Sequence, residues 1–337
     1  MATRKEVSEL AGVAEITVSR VLSGNGYVSQ KKRELVEKAA DQLGYYPSPI
    51  AVSFRKNATK QILLLLSEHD FENMYYNTVY RGAFRYAEKA GYLLVVSSET
   101  KFSRISKRMC DGIILLNSYF APDEIKKYLR VPAVVLSAGD TNIYPWIESV
   151  AVDTALALEL MIKSLNNLGH KRIALAMPSL KFMFGSFPGR YYRYISLLYD
   201  VFKDDIRNYI FGIDSLEADE KTTNYYYYGK IAAEQIYEKK PDITAVICFN
   251  DEVALGLLGR LHSLGIKVPD ELSVAGIDDI FYSAYSVPSL STVRLPTMDL
   301  GEESVRRLIN KIEGNESNEE TSFELHVIIR ESVRDIN

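Results

Sequence analysis

The chain has 337 residues, enough for two or three domains, and its 47% apolar and 25% charged residues are ordinary for a globular protein. The formal charge of −4 is unevenly spread: residues 1–60 hold ten Lys or Arg against six Asp or Glu, a head of +4 on a body of −8. A basic head on an acidic body suits a module that meets a polyanion, and the rest of the composition excludes several other classes. Cys110 and Cys248 lie far apart with no CxxC spacing, so no disulfide framework is expected and a reducing cytoplasm is. The run ILLLL at 62–66 is too short to cross a membrane, and the opening residues hold no apolar segment of the signal-peptide kind. His69, His170, His262 and His326 are scattered outside any metal-ligand spacing. No GxSxG elbow, phosphate loop or acid pair points to catalysis, so no enzyme activity, metal or cofactor is expected.

Thr3, with Glu6 three residues on, reads as a capping box, and Val7, Leu10 and Ala11 predict a first helix ending near Ala11. Gly12, Val13 and Ala14 break it. The stretch from Ile16 to Leu22 is rich in β-branched residues, yet its apolar positions Val18, Val21 and Leu22 have helical spacing. A third helix starts near Ser29, carries Leu35, Val36, Ala39, Ala40 and Leu43 on one stripe, and stops at Gly44. Three short helices with a tight second turn over residues 1–46 read as an all-α helix-turn-helix head. The weak second helix would be held by its neighbours and would present Glu15, Ile16, Thr17, Ser19 and Arg20 outward, short enough to enter a major groove. Thr3, Ser29 and Arg33 complete the DNA-contacting candidates of the head. A three-helix protein-interaction bundle has the same pattern.

Residues 47–60 form a basic linker. Ser48 as cap, Pro49 at the first helical position, and Ile50, Ala51 and Phe54 along one side spell a helix too short to stand alone in water. A flexible tether is the other reading of that segment.

From residue 61 to 337, short aliphatic runs alternate with amphipathic stretches. Strands are predicted at 62–66, 93–96, 113–116, 133–136, 173–176, 245–249 and 273–276. Helices are predicted at 79–89, 154–168, 191–202, 230–237, 252–264 and 298–312, with Gly91, Gly169 and Gly265 at helix ends. This alternation predicts an α/β body of parallel sheets covered on both faces. In such sheets a ligand lies off the carboxyl ends of the strands, where Asn250 and Asp278 stand. Asn offers a donor and an acceptor, Asp accepts from two hydroxyls at once, and Arg190 after FPG can donate a planar fork. The plainer alternatives are Asp278 as a turn residue, Asn250 as a backbone partner and Asp251 as a helix N-cap. The four tyrosines at 225–228 read mostly as helix-entry packing, with one lining the cleft.

The head resembles the lactose-repressor/galactose-repressor (LacI/GalR) family of bacterial transcription regulators through AGV, TVSRVL, VS at 28–29, LGY at 43–45 and PS at 47–48. The body resembles that family's two-lobed sugar sensor, related in fold to periplasmic sugar-binding proteins. The resemblance rests on CDGIILL at 110–116, LGHKRIAL at 168–175, TAVICFNDEVALGLL at 244–258, LSVAGIDD at 272–279 and PSLSTVRLP at 288–296. It spans nearly the whole chain. It implies two parallel-sheet lobes, an N-lobe of about 61–149 and 290–320 and a C-lobe of about 150–289 and 321–337, crossed near 150–153, 289–292 and 322–324. It implies a hinge helix within 47–60 that forms on operator DNA, with Phe54 as a minor-groove wedge where Leu is usual. Val52 stands where the family often has a basic residue, and Arg55 and Lys56 are the nearby candidates to supply that phosphate contact. It further implies that Asn250, Asp278 and Arg190 hold the effector, with Tyr75 and Tyr76 against a sugar's apolar face. Ala14 departs from the Ser usual before the recognition helix, the segment after Val96 is shortened, and no leucine heptad follows Arg334.

The resemblance thus implies a cytoplasmic homodimer that binds double-stranded operator DNA. It would act as a repressor of carbohydrate-utilisation genes under a small sugar effector, an inducer rather than a corepressor. The alternatives are a regulator of the same fold under a nucleobase or a phosphoprotein corepressor, and a sugar-binding protein or enzyme that does not use its head on DNA. Phe54→Ala is expected to lower affinity for operator more than for random-sequence DNA, because a wedge gains energy only at a pried base step. Anisotropy titrations with both duplexes check this, and an equal loss argues against a wedge.

Overall fold

The computed structural model describes residues 2–23, 26–45, 58–66, 73–98, 102–105, 109–116, 122–137, 144–178, 196, 209–212, 224–240, 242–315 and 321–337. Backbone contacts divide the chain into two compact units, residues 1–61 with 107–111 and the remainder.

The first unit holds helices α1 (Arg4–Ala11), α2 (Glu15–Ser23) and α3 (Gln30–Leu43). The capping box is present: Glu6 N donates to Thr3 Oγ1 at 3.3 Å, and Thr3 N donates back to Glu6 Oε2 at 2.7 Å. Gly12 and Gly44, at φ 62° and 59°, close α1 and α3. The core is Val7, Ala11, Val18, Val21, Val36, Ala39 and Ala40. Leu10, Leu35 and Leu43, expected on the apolar faces, are instead 53%, 45% and 37% exposed. Leu10 lies outside the arc from Val7 to Ala11, and Leu35 is rotated about 100° from Val36. Leu43 is on the stripe but in the last turn, past the small core.

The second unit contains two parallel sheets. The first has strand order β2-β1-β3-β4-β5, from β1 (Gln61–Leu65), β2 (Leu93–Ser97), β3 (Gly112–Leu116), β4 (Ala133–Ser137) and β5 (Glu148–Ala151). The second has order β7-β6-β8-β9, from β6 (Ile173–Ala176), β7 (Ile210–Phe211), β8 (Ala245–Cys248) and β9 (Ser273–Ala275). Every residue of β3, β4, β6 and β8 is buried, as a parallel sheet covered on both faces requires. Against the first sheet pack α4 (Met74–Lys89) and α9 (Thr297–Glu313). The second carries α6 (Thr154–Asn167), α7 (Tyr225–Lys239) and α8 (Asp251–Ser263). A further helix, α5 (Pro122–Tyr128), lies between β3 and β4 in sequence. The lobes are joined after β5 and by an antiparallel pair, β10 (Thr292–Arg294) and β11 (His326–Ile328).

Elements beyond the predicted ones are short or marginal: β5, β7, β10, β11 and α5. Helices α4 and α7 start about one turn earlier than their apolar spacing suggests, because Asn73 and Asn224 cap them. Their side chains accept from Tyr75 N at 2.9 Å and Tyr227 N at 3.2 Å. The expected helix at 191–202 lies outside the described residues, apart from residue 196 in helical conformation.

Helices α7 and α8 meet backbone to backbone. A Cβ on Gly256 would overlap the carbonyl of Tyr226, and one on Gly229 the carbonyl of Val253. This contact sets how closely α7 and α8 pack. Gly256→Ala is expected to part the helices and cost about 1–3 kcal/mol, read as a lower denaturant midpoint. An unchanged midpoint would show that the pair can separate freely.

Candidate functional site

In the head, α2 lies with Val18 and Val21 buried and Ile16 62% exposed. Arg20 is exposed, while Thr17 and Ser19 are half-buried beside it on the outer side. Glu15 is engaged: its carboxylate accepts from Arg4 Nε at 2.9 Å, tying the start of α2 to α1. Ala14 supplies only its carbonyl, which accepts from Thr17 N at 2.8 Å, so no side chain caps α2 there. Ser29 precedes α3 without a side-chain cap bond and is exposed; Arg33 is half-buried on the first turn. The hydroxyl of Thr3 is engaged in its capping box. Phe54 and Arg55 lie outside the described residues.

At the junction of the lobes, Asn250 and Asp278 follow the neighbouring strands β8 and β9 and are 5% and 9% exposed. Asn250 is the N-cap of α8, its Oδ1 accepting from Val253 N at 2.9 Å. The N-cap is therefore not Asp251, as the sequence suggested. Asp251 is fully buried and accepts from Thr292 Oγ1 at 2.6 Å, Ser283 Oγ at 2.6 Å and Ile280 N at 3.0 Å. Asp278 and Asp279 follow at positive φ, 132° and 58°; the second is left-handed backbone that Asp tolerates better than most residues, and the first lies outside that region. Asp279 pairs with Arg294 Nε and Arg330 Nη2, both at 2.7 Å. Tyr75 and Tyr76 open α4, each 5% exposed, with rings edge to face at 5.0 Å. Tyr228 is buried and Tyr225 stacks on Phe249, whereas Tyr226 and Tyr227 are 38% and 45% exposed. Arg190 lies outside the described residues. Sequence reasoning missed Glu252, Asp279, Arg294 and Arg330. The signal available was the run of acids in FNDE and GIDD, too many to be solvated turn residues at the ends of buried strands.

A two-lobed body of this build takes a small molecule off its strand ends, and a helix-turn-helix head reads duplex DNA, so the class defined is a DNA-binding transcription regulator. The chain belongs to the LacI family of bacterial regulatory proteins. Residues 3–48 match the family described as "Bacterial regulatory proteins, lacI family", and residues 162–333 match "Periplasmic binding protein-like domain". The HTH-type transcriptional repressor PurR of Vibrio campbellii (strain ATCC BAA-1116) is 30% identical, with 100% of each chain covered. The crystal structure of the lac repressor dimer bound to operator and the anti-inducer ONPF superposes with a TM-score of 0.80 at 24% identity, covering 99% of each chain. A transcriptional regulator CelR–cellobiose complex matches with a TM-score of 0.63 at 25% identity, covering 98% of this chain and 100% of that one. The protein is a DNA-binding transcriptional repressor of this family and not an enzyme. No helix among the described residues is long and apolar enough to cross a membrane.

Burial sets the proton chemistry of the junction. It pushes Glu252 up to about 7, with the Asp251 charge adding and the Met74 N–H opposing. It pushes Asp251 up to about 6 against the three donors. The Tyr226 phenol rises to about 12 through burial and then the Glu252 charge. On α9 burial also pushes Glu303 upward, but Arg306, Arg307 and Thr321 overcome it and hold that carboxyl at about 2. Glu252 and Asp251 bind protons more readily folded than unfolded. The stability linked to them is full below pH 3.8 for Asp251 and below pH 4.5 for Glu252, and is lost as pH rises through about 6 and about 7 respectively. Glu252→Gln removes one of these titrations. Its stability relative to wild type is expected to rise by roughly 3 kcal/mol between pH 4.5 and pH 8, measured by urea unfolding at both. A pH-independent difference would place the Glu252 carboxyl in ordinary solvent.

Proposed function

We propose that this repressor answers to a small sugar or sugar-like effector at the lobe junction, works as a cytoplasmic homodimer, and controls carbohydrate-utilisation genes. The observation that carries the reading is the pair Asn250 and Asp278, nearly buried at the ends of adjacent strands. An amide that donates and accepts, beside a carboxylate that accepts from two hydroxyls, suits a polyol. Arg190 is proposed as a third polar contact, and Tyr75 with Tyr76 as an apolar wall. The CelR protein, in complex with cellobiose, is a relative bound to a sugar.

In the head, Ile16, Thr17, Ser19 and Arg20 are proposed to enter the major groove, with Glu15 at its edge. Thr3, Ser29 and Arg33 would contact phosphates, and Phe54 and Arg55 the minor groove. Self-association is supported by exposed Phe281, Tyr282, Tyr285 and Val287, grouped on one turn, and by the operator-bound dimer of the lac repressor. The effector acts as an inducer by binding more tightly to the lobe arrangement that releases DNA, since equal binding to both would shift nothing.

A flat nucleobase is the second reading, favoured by the rings of Tyr75 and Tyr76 at the start of α4. Melting-temperature shifts across sugars, purines and pyrimidines, followed by operator release with each hit, decide between them. With a sugar as the hit, Asp278→Asn is expected to weaken the response by about tenfold or more while leaving operator affinity nearly intact. Asn is nearly isosteric with Asp, so the substitution asks the least of the backbone at that position. Equal loss of DNA binding would make Asp278 a structural residue, and a purine hit without a sugar hit would overturn the sugar reading.

A further inference from the structure

Glu252 stands beside Asp251 on α8, in the second lobe, and belongs to none of the proposed effector contacts. It is 3% exposed. Its Oε1 accepts the backbone N–H of Met74 at 3.0 Å, a hydrogen bond between residues 178 apart in sequence. Met74 is the first residue of α4 in the first lobe. Its N–H is one of the donors that an α-helix leaves without an internal partner, and the helix start carries partial positive charge. The neighbouring cap residue Asn73 serves Tyr75 N, so Glu252 and Asn73 between them satisfy two of the four orphan donors. The base from which Glu252 reaches is held firmly, because Asp251 ties the start of α8 to Thr292 on β10 and to Ser283. Tyr75 and Tyr76 follow Met74 directly.

We propose that Glu252 is a latch between the lobes, a positioning residue whose carboxylate clamps the start of α4 to the start of α8. The latch depends on the two-lobed architecture and not on what the effector is. Beyond the three chain crossings, which tether the lobes without fixing their separation, a hydrogen bond between α4 and α8, shielded from water, sets how far they part. An effector against Tyr75 and Tyr76 would work with or against this bond, because it touches the same first turn of α4.

The test uses the full chain without effector. Lys89→Cys on α4 and Glu238→Cys on α7, both exposed, take a donor and an acceptor dye; Cys110 and Cys248 are buried. Labelled chains diluted into excess unlabelled protein report one inter-lobe distance by single-molecule energy transfer. Glu252→Met keeps the length and removes the acceptor, and the longer-distance fraction is expected to grow about tenfold. Glu252→Gln, whose amide oxygen can accept the same N–H, is expected to restore the wild-type distribution. A Glu252→Met protein with the wild-type distribution overturns the latch, as does Glu252→Gln parting the lobes as far as Glu252→Met. Hydrogen exchange at the Met74 amide of the unmutated protein gives a measure that needs no variant. Protection like that of amides in the middle of α4 supports the latch, and exchange at the rate of an exposed amide overturns it.

Discussion

A charge removed from water persists only where hydrogen bonds replace its hydration, and the body is organised around one such charge, the carboxylate of Asp251. Its donors come from the turn after β9 and from the crossing strand β10, so a single ion ties together segments 41 residues apart. Gly276 follows from the same constraint, since a Cβ there would overlap Asp251 Oδ1. Asn250 before it and Glu252 after it take their places from this fixed point. One residue thus aligns the Asn250 helix cap and, through Glu252, a contact to the opposite lobe. Losing one donor would leave the ion partly unsatisfied, which for a hydrogen bond to a charged group costs about 1.5–3 kcal/mol.

The second anchor of the junction is Asp279, held by Arg294 from β10 and Arg330 beyond β11. Two acids in succession, at positive φ, turn the chain so that Asp278 stands at the strand end while Asp279 grips both crossing segments. The proposed effector contact and the hinge are therefore neighbours in sequence. A ligand that draws on Asp278 pulls on a backbone whose next residue is bolted to the crossings. This makes differential affinity for two lobe arrangements physically available in a fold whose sheets are themselves stiff.

Much of this was legible in the sequence. The strands β1, β3, β4, β6 and β8 are unbroken aliphatic runs, and such runs have few alternatives once helices alternate with them. The capping box at Thr3 and Glu6 is local chemistry and emerged as written. Harder were α4 and α7, whose first turns carry tyrosines rather than aliphatics; their starts are set by Asn73 and Asn224, which look like any loop asparagine. The leucines at 10, 35 and 43 were misread because periodicity says which face is apolar but not how wide a core of three short helices can be. The roles of Asp251 and Glu252 were hidden for a different reason. Their partners lie 28 or more residues away, or on the other lobe, and no spacing rule links an acid to a backbone N–H 178 residues earlier.

Among the described residues, the apolar core of the head is made of valines and alanines, with Val13, Leu22, Val28 and Tyr45 packed partly against it. Small side chains bury little area, and a unit of this size retains a modest margin over the entropy of its unfolded chain. The body, with the central strands of both sheets fully buried, has far more to lose before it melts. Warming would therefore silence operator recognition first and leave a folded sensor behind, still able to take its small molecule but with nothing to say to the chromosome.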